Sequence, residues 1–517
     1  MFSKRKDKIG RQDAIVLATG LVLFIAIALG NITRWSIWFD EAFGIYMIRF
    51  SFSDIACYTS SDVHPPFYYW VLKVWSSLFG TSELALRSLS LVAMAGAMVF
   101  MYLILRRVFT TRVAAGGLFM MALSPLLVRY AEEARMYGLV ALIVMAATYV
   151  LLRFMDKPTK RNWILYGLLV SLGMWTHYFV ALAWLAHWAY RAFMLKDRKL
   201  TVALRAFFSK EWIWAHVLAV GLFLPWLPFM LRQMSSVQGG GFWIPPVTLA
   251  TPPNFGADLF LYQLASDVKG WMAITLWVLV LGTVVMASFG VHRLARDEKK
   301  VLTLLLFLGV VPVILLIMLS MPPLRPAFID RYLMPSILSL FALLGVALAK
   351  IVFTQKTRTY GILLSIGFVA IVITGITNVY ATGNYNIVTK DPLPIRPTLQ
   401  LAQQEAAPGE PFVTASIWRF YESHYYQTER NPVYLQAEDS LNWGSYDMVR
   451  KNPYRKVYDV AQFAREHGGK IWFIGDWKYG SPKLPRTGSW TVLREARVNG
   501  VPDSASTIRA VELQLKP

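Results

Sequence analysis

Cysteine is nearly absent from this sequence, which contains the single Cys57 in 517 residues. One cysteine excludes an intrachain disulfide framework and any metal site built from several thiolates. Charged residues are also scarce: Asp, Glu, Lys and Arg make up only 16% of the chain, whereas soluble domains contain roughly 25%. The composition therefore excludes an ordinary soluble globular protein.

Acidic residues are the scarcer of the two charges, since 31 Asp and Glu stand against 52 Lys and Arg and leave a formal net charge of +21. Such a charge is typical either of nucleic-acid binding or of the positive-inside bias of a membrane protein. Hydrophobic residues make up 56% of the chain, the mean hydropathy is +0.44, and the basic residues gather between apolar stretches. We therefore predict a multi-pass protein of the cell (inner or plasma) membrane, embedded in the lipid bilayer and with no nucleic-acid partner.

Eleven apolar segments have lengths close to the roughly 20 helical residues that cross a bilayer. They comprise residues 14–32, 88–105, 113–128, 137–152, 163–178, 180–193, 212–231, 271–291, 301–320, 333–349 and 360–380. The basic start KRKDK predicts a cytoplasmic N-terminus followed by a retained signal-anchor. Alternate loops are then basic and cytoplasmic, and the last segment places the C-terminal region outside the cytoplasm.

The predicted fold is a polytopic α-helical membrane protein with about 11 transmembrane helices and interfacial helices in the first outer loop. A small C-terminal extracytoplasmic α/β domain follows, so that the predicted domains are residues 1–382 and 383–517. Within the second domain the segments PFVTAS, PVYL, KIWFIGDW and TIRAVELQL favour strands, and TLQLAQQEA, WRFYESHYYQ and VAQFAREHG favour helices.

The first outer loop, residues 34–87, carries an aromatic stripe at helical spacing beside two acids. Because neighbouring residues of a helix do not share a face, Asp40 and Glu41 should not act on the same atom. Asp62, His64 and a Pro-Pro pair follow, and a second amphipathic run closes the loop. The stripe predicts a helix along a membrane surface; its members are Trp35, Trp38, Phe39, Ala42, Phe43, Tyr46 and Met47.

Later outer loops contain arginines against the positive-inside bias. Ionisable groups at a membrane are costly to bury and are therefore functional candidates. The alternative is that Arg129–Glu133 and Glu132–Arg135 are ordinary pairs on a helix surface. His177, beside a tight turn, is either a structural histidine or a site residue. The charged residues of these loops are Arg129, Glu132, Glu133, Arg135, Arg325, Asp330 and Arg331.

A single carboxylate base combined with arginines suits transfer from a phosphate-linked donor to a hydroxyl group. Arginine binds phosphate bidentately and keeps its charge at any working pH. A phosphate leaving group departs without a general acid, so that one base on the acceptor side is sufficient. A divalent metal ion held by Glu41, Asp62 and His64 is an alternative that these residue types leave open.

The segments WFDEAFGIYM, DVHPPFYYWVLKVWSSLFGTSELALRSLS, RYAEEARMYGL, THYF and DRYLMPS closely resemble the GT-C glycosyltransferases of the protein-O-mannosyltransferase and aminoarabinose-transferase superfamily (glycosyltransferase family 39-like). The resemblance covers roughly the first 380 residues. It implies that Asp40 is the base or positions the acceptor and that Glu41 is the neighbouring acid. It also implies a polyprenyl-phosphate sugar donor and inversion at the anomeric carbon.

These patterns together predict an integral membrane glycosyltransferase with Asp40 and Glu41 as catalytic residues. Its acceptor is a hydroxyl of a cell-envelope glycan, a lipid or a protein, and sugar and acceptor stay open. We assign the donor phosphate to Arg135, Arg331, Tyr332 and His64. Further site candidates are Asp62, Glu132, Glu133, Tyr137, His177 and Tyr178.

Two other classes of protein compete with the enzyme. A transporter or flippase of lipid-linked sugars should keep its ionisable residues near mid-membrane on discontinuous helices. A structural scaffold would leave the acids and the Pro-Pro pair of the first loop without a role.

The Gly- and Pro-rich loop 232–270 has no helical periodicity and is expected to close when the donor binds. In the C-terminal domain Trp418, Tyr421 and His424 are either surface residues that select the acceptor or parts of the domain core.

Overall fold

A computed structural model describes residues 9–240, 244–290, 294–382, 394–437, 446–450, 455–477, 484–496, 498 and 507–516. The helices are α1 (Arg11–Leu29), α2 (Phe39–Met47), α3 (Phe52–Ser60), α4 (Phe67–Phe79), α5 (Glu83–Arg106), α6 (Thr111–Ala122), α7 (Pro125–Ala131), α8 (Tyr137–Asp156), α9 (Lys160–Thr176), α10 (Val180–Phe193), α11 (Leu200–Phe207), α12 (Lys210–Phe223), α13 (Leu227–Gly240), α14 (Thr251–Leu261), α15 (Gly270–Ser288), α16 (Arg296–Leu319), α17 (Met334–Val352), α18 (Arg358–Thr382), α19 (Ile395–Glu405), α20 (Ile417–Tyr426), α21 (Asp447–Arg450) and α22 (Val460–Glu466). The strands are β1 (Phe412–Thr414), β2 (Val433–Gln436), β3 (Lys456–Val457), β4 (Lys470–Trp477), β5 (Trp490–Ala496) and β6 (Thr507–Leu515).

Eight helical segments in the described part of the chain are long and apolar enough to cross a membrane, or nine if the bent pair α6 and α7 is one span. The predicted segments 163–178 and 180–193 form α9 and α10, which have only 17 and 14 residues. The predicted fold class, a helical membrane protein with a small α/β region, is confirmed.

The chain divides into two compact units. Unit 1 consists of Met1–Asn31, His64–Tyr68 and Leu84–Ala381, and contains the membrane-spanning helices. Unit 2 consists of Ile32–Val63, Tyr69–Glu83 and Thr382–Pro517. The first outer loop therefore groups with the C-terminal region, although some 300 residues of sequence separate the two.

In unit 1, α6 and α17 cross at glycines. A Cβ atom added to Gly345 would lie 2.2 Å from the carbonyl oxygen of Gly116, and one added to Gly116 would lie 2.6 Å from the carbonyl oxygen of Gly345. Small residues at such crossings allow two helix backbones to approach closely within a membrane. The chain then bends by 62° between α6 and α7, where Pro125 starts the second helix and cannot continue the first.

Polar side chains join three helices of unit 1 at the end that the charge pattern assigns to the cytoplasm. Asp13 of α1 accepts hydrogen bonds from Arg106 Nε at 2.5 Å and from Tyr102 at 2.8 Å, both on α5. Thr111 of α6 donates to the same carboxylate at 2.8 Å. One buried acid therefore ties α1, α5 and α6 together.

The loop 232–270 is more regular than its sequence predicts. Helix α13 continues as far as Gly240, and α14 forms over Thr251–Leu261 with Pro252 and Pro253 in its first turn. Proline is tolerated there because the first N–H groups of a helix have no intrahelical partner.

The described residues of unit 2 form a six-stranded sheet of order β3-β2-β1-β4-β6-β5. Strands β3, β2, β1 and β4 are parallel, and β6 pairs antiparallel with β4 and β5. Helix α22 covers one face, where Val460 and Ala464 pack in a core with Val413, Ile471 and Leu513. The predicted strands and helices of this region are present, and β3, β5 and α21 are additions.

Candidate active site

Helix α2 of unit 2 carries the predicted catalytic acids, and its first turn separates their environments. The Glu41 carboxylate accepts a hydrogen bond from the backbone N–H of Trp38 at 3.4 Å and is fully buried. Asp40 is only partly buried. Acids are favoured in this turn because the N-terminus of a helix carries partial positive charge. Of the two carboxylates, Asp40 is therefore the more accessible, while Glu41 stabilises the start of the helix.

The aromatic face of α2 packs against protein. Phe39, Phe43 and Tyr46 all contact Tyr421 of α20, at ring-centroid distances of 6.2, 5.9 and 5.0 Å. Phe43 also meets Tyr69 of α4 edge-on at 6.1 Å. The aromatic stripe, which the sequence pattern assigns to a membrane surface, is thus largely covered by α20 of the C-terminal region and by α4 of the first loop.

The three aromatic candidates of α20 have different environments. Tyr421 and His424 are buried, with exposed fractions of 1% and 9%, so that for them the core alternative is correct. Trp418 is 54% exposed and contacts Phe39 at 5.9 Å. Burial raises the pKa of Tyr421 well above its ordinary value, and the Tyr46 hydroxyl and the Asp62 carboxylate add to the effect. Asp62 is therefore close enough to Tyr421 to act on it electrostatically.

A cluster of aromatic and cationic side chains forms in unit 1 around His177, which follows α9. His64 and Tyr332 flank its ring at centroid distances of 5.1 and 4.8 Å, and Tyr137 lies at 6.0 Å. The guanidinium carbon of Arg331 is 5.4 Å from the Tyr137 centroid. Five of the predicted site residues thus come together from four separate parts of the sequence, since Arg331 and Tyr332 are adjacent.

The charge of this cluster resides on two arginines. Burial lowers the pKa of His64 well below its ordinary value, and the nearby His177, Arg135 and Arg331 lower it further. His64 is therefore neutral at physiological pH, whereas Arg135 and Arg331 stay charged although they are only 4% and 5% exposed. His177 accepts from the Phe179 N–H through Nδ1, and its buried Nε2 has no hydrogen-bond partner in the described part of the chain. Such a cationic cluster fits an anion.

The remaining predicted candidates of the 129–135 loop belong to a neighbouring polar group. Arg129 and Glu133 form the predicted i, i+4 ion pair at 3.3 Å. Glu132 accepts a hydrogen bond from Asn31 at the end of α1 at 2.7 Å. Burial raises the pKa of Glu132 to about 8, against the opposing effects of Asn31 and Arg129. The sequence analysis does not name Asn31 as a site candidate. Its position, a polar residue at the end of the apolar segment 14–32, could have indicated a buried polar contact.

Tyr178 takes part in a different network of unit 1. Its hydroxyl donates to Gln233 of α13 and accepts from the Trp226 indole N–H at 2.7 Å. Arg325 contacts the same helix, donating from Nε to the carbonyl oxygen of Gln238 at 3.1 Å. These contacts tie Tyr178 and Arg325 to α13.

A metal site is a separate question. Within the described ranges, no group of three or more His, Cys, Asp or Glu side chains is close enough together to hold a metal ion. The assignment of a divalent ion to Glu41, Asp62 and His64 stays a prediction.

Comparison with known proteins identifies the fold. Residues 63–229 match the family described as dolichyl-phosphate-mannose-protein mannosyltransferase, a range that includes His64, Arg135 and His177 but not Asp40 or Arg331. No match was found among curated proteins.

Three solved structures share the fold over most of the chain. ArnT from Cupriavidus metallidurans in the apo state is 15% identical with a TM-score of 0.58, covering 96% of this chain and 97% of that chain. ArnT from Cupriavidus metallidurans bound to undecaprenyl phosphate is 15% identical with a TM-score of 0.54, covering 96% of this chain and 97% of that chain. The third structure is AglB of Archaeoglobus fulgidus, an archaeal oligosaccharyltransferase in complex with an inhibitory peptide and a dolichol-phosphate. It is 12% identical with a TM-score of 0.51, covering 90% of this chain and 69% of that chain. The predicted resemblance is confirmed: the chain has the GT-C fold.

Proposed function

We propose that this protein is an integral membrane glycosyltransferase that moves a sugar from a polyprenyl-phosphate donor to a hydroxyl group on the extracytoplasmic side of the cell membrane. The observation that carries the proposal is the buried pair Arg135 and Arg331, gathered with the neutral His64 and with aromatic rings. Two solved structures of the same fold contain a polyprenyl phosphate, undecaprenyl phosphate in one and dolichol-phosphate in the other. This agrees with an anion site in unit 1.

Asp40 acts as the general base in this proposal. It takes the proton of the acceptor hydroxyl while that oxygen attacks the anomeric carbon, and the bond between this carbon and the phosphate oxygen breaks. One displacement of this kind inverts the anomeric centre. Glu41 is bound to the helix start and buried, so that it supports the base and does not replace it.

The arginines act on the leaving group. A phosphodiester donor carries about one negative charge, whereas the released polyprenyl phosphate carries about 1.5 to 2 at neutral pH. Because the charge grows as the bond breaks, Arg135 and Arg331 stabilise the transition state more than the bound donor. This preference is what lowers the barrier.

The experiment that tests the proposal is transfer from a radiolabelled polyprenyl-phosphate sugar by the purified protein in nanodiscs, with glycan, lipid and peptide acceptors. Asp40→Asn keeps the size of the side chain but not its basicity, so that turnover should fall by about 10²- to 10⁴-fold. Asp54→Asn is the matched control, since Asp54 is an exposed acid of the same loop.

The proposal fails if wild-type protein transfers no sugar to any acceptor, or if a folded Asp40→Asn variant keeps its turnover. Movement of the labelled donor across the bilayer without transfer would instead establish the flippase alternative. Donor affinity should be the same in wild-type and Asp40→Asn proteins, because Asp40 acts on the acceptor.

A further inference from the structure

Two residues of the C-terminal region bind the backbone that leads into α2. Arg396 donates from its guanidinium group to the carbonyl oxygens of Thr33 and Arg34 at 3.0 and 2.9 Å. Its backbone N–H donates to the Ser36 hydroxyl at 3.2 Å. The hydroxyl of Tyr426 accepts from the Ile37 N–H at 2.7 Å. Four hydrogen bonds thus hold residues 33–37, immediately before the turn that carries Asp40.

Glu83 joins these two residues. Its carboxylate accepts from Arg396 Nη1 at 2.6 Å through one oxygen and from the Tyr426 hydroxyl through the other. The Glu83 side chain is only 10% exposed and that of Arg396 28%, so that solvent screens this ion pair less than a surface pair. Arg396, Glu83 and Tyr426 form one connected group, which we call the latch.

The far end of α2 is held from the same helix that carries Tyr426. Arg49, which follows α2, contacts the His424 ring nitrogen Nε2 at 2.7 Å, and Tyr46 meets the His424 ring edge-on at 4.9 Å. Tyr421 supports the middle of α2 through the ring contacts described above. Helix α2 is thus supported at its start, its middle and its end by the C-terminal region.

We propose that the C-terminal region is a positioning element for the catalytic base, and that Arg396 and Tyr426, together with Glu83 at the start of α5, are the positioning residues. This inference rests on the proposed function, because it takes Asp40 as the base. Rigid support is needed since a displacement of about 1 Å in a reacting group lowers rates by roughly 100-fold. Asp40 is three residues beyond the last latched backbone group, at Ile37. A loosened latch therefore changes where its carboxylate points without touching any substrate.

Tyr426→Phe is the decisive variant because it removes only the hydroxyl that links Ile37 to Glu83 and leaves the aromatic ring. We expect turnover to fall by about 10- to 100-fold, with the KM for donor unchanged. Hydrogen exchange of residues 33–47 should become faster, a readout that does not depend on activity. Arg494→Gln is the control, since it breaks an ion pair with Glu512 between β5 and β6 of the same region.

A second-site test separates positioning from general loss of structure. In an Asp40→Asn background, Tyr426→Phe should lower the residual turnover by less than about twofold, because the group that it positions is already inactive. Glu83→Gln and Arg396→Gln should each lower turnover as Tyr426→Phe does. Arg396→Lys keeps the positive charge and should retain more turnover than Arg396→Gln.

Each outcome has a separate meaning. Unchanged exchange and turnover in Tyr426→Phe, with active wild-type protein, would overturn the latch. So would an equal loss of turnover in the Arg494→Gln control. Faster exchange in a protein whose wild type transfers no sugar would refute the proposed function and leave the structural role of the latch intact.

Discussion

Replacing Arg331 by Gln tests the assignment of the phosphate to unit 1. The change keeps a planar, hydrogen-bonding side chain and removes the positive charge that lies beside Tyr137 and lowers the pKa of His64. Because Arg331 is 5% exposed, its charge is little screened by water, and its contact with a phosphate would be stronger than that of a surface arginine.

The expected loss follows from one charged hydrogen bond. Such bonds contribute about 1.5–3 kcal/mol, which corresponds to a roughly 10- to 100-fold weaker affinity. Arg331→Lys keeps the charge but not the planar fork, and should lie between Gln and wild type. Arg135→Gln should weaken binding to a similar extent, since both arginines act on the same cluster.

Binding of a polyprenyl phosphate to protein in nanodiscs, measured by titration calorimetry at two salt concentrations, gives these affinities. Arg325→Gln is the matched control, because Arg325 is an exposed arginine of the loop immediately before Arg331 and bonds to Gln238. The reasoning is refuted if Arg331→Gln binds as tightly as wild type. Equal losses in Arg325→Gln and Arg331→Gln would show that net charge, and not the buried cluster, attracts the lipid phosphate.

Three further predictions concern stability and motion. Glu132 binds a proton more tightly in the folded protein, since its pKa rises from 4.5 to about 8 on folding. The free energy of unfolding should therefore decrease as the pH rises between these two values. Thermal unfolding of Glu132→Gln, which cannot titrate at this position, should show a smaller dependence on pH over that range. Gly345→Ala should lower the unfolding temperature because its Cβ would lie 2.2 Å from a backbone oxygen, whereas Gly221→Ala, with open space around it, should not; equal unfolding temperatures would contradict the close crossing. Closure of loop 232–270 predicts slower proteolysis there when a donor analogue is added, and donor-independent cleavage would argue against it.

Much of the fold followed from the sequence alone because its determinants are local. The bilayer sets the length of an apolar span, and a run of about 20 apolar residues shows that length directly. The strand PVYL and the helix WRFYESHYYQ were readable because alternation and helical spacing extend over only a few residues. The sequence also predicts spans at residues 163–178 and 180–193. In the structure these are α9 and α10, whose 17 and 14 residues leave them outside the eight long apolar segments of the described chain.

The helical position of the candidate acids could also be predicted from the sequence. The acidic pair Asp40 and Glu41 stood on a helix, and the motif resemblance pointed to the same residues. Their different burial was not readable, since it depends on the turn at Trp38 and on the helix that covers α2. For the same reason Trp418 and Tyr421, three residues apart, looked alike in the sequence and differ in exposure.

The sequence by itself determined that this is a helical membrane protein with a small α/β region and an acidic pair in its first loop, because composition, span length and local periodicity carry that information. Only the tertiary structure decided that His64, His177 and Arg331 share one cluster. Only the tertiary structure joined the first loop to Arg396 and Tyr426. Contacts between residues hundreds of positions apart depend on how helices cross and strands pair, and no local pattern of residues records that geometry.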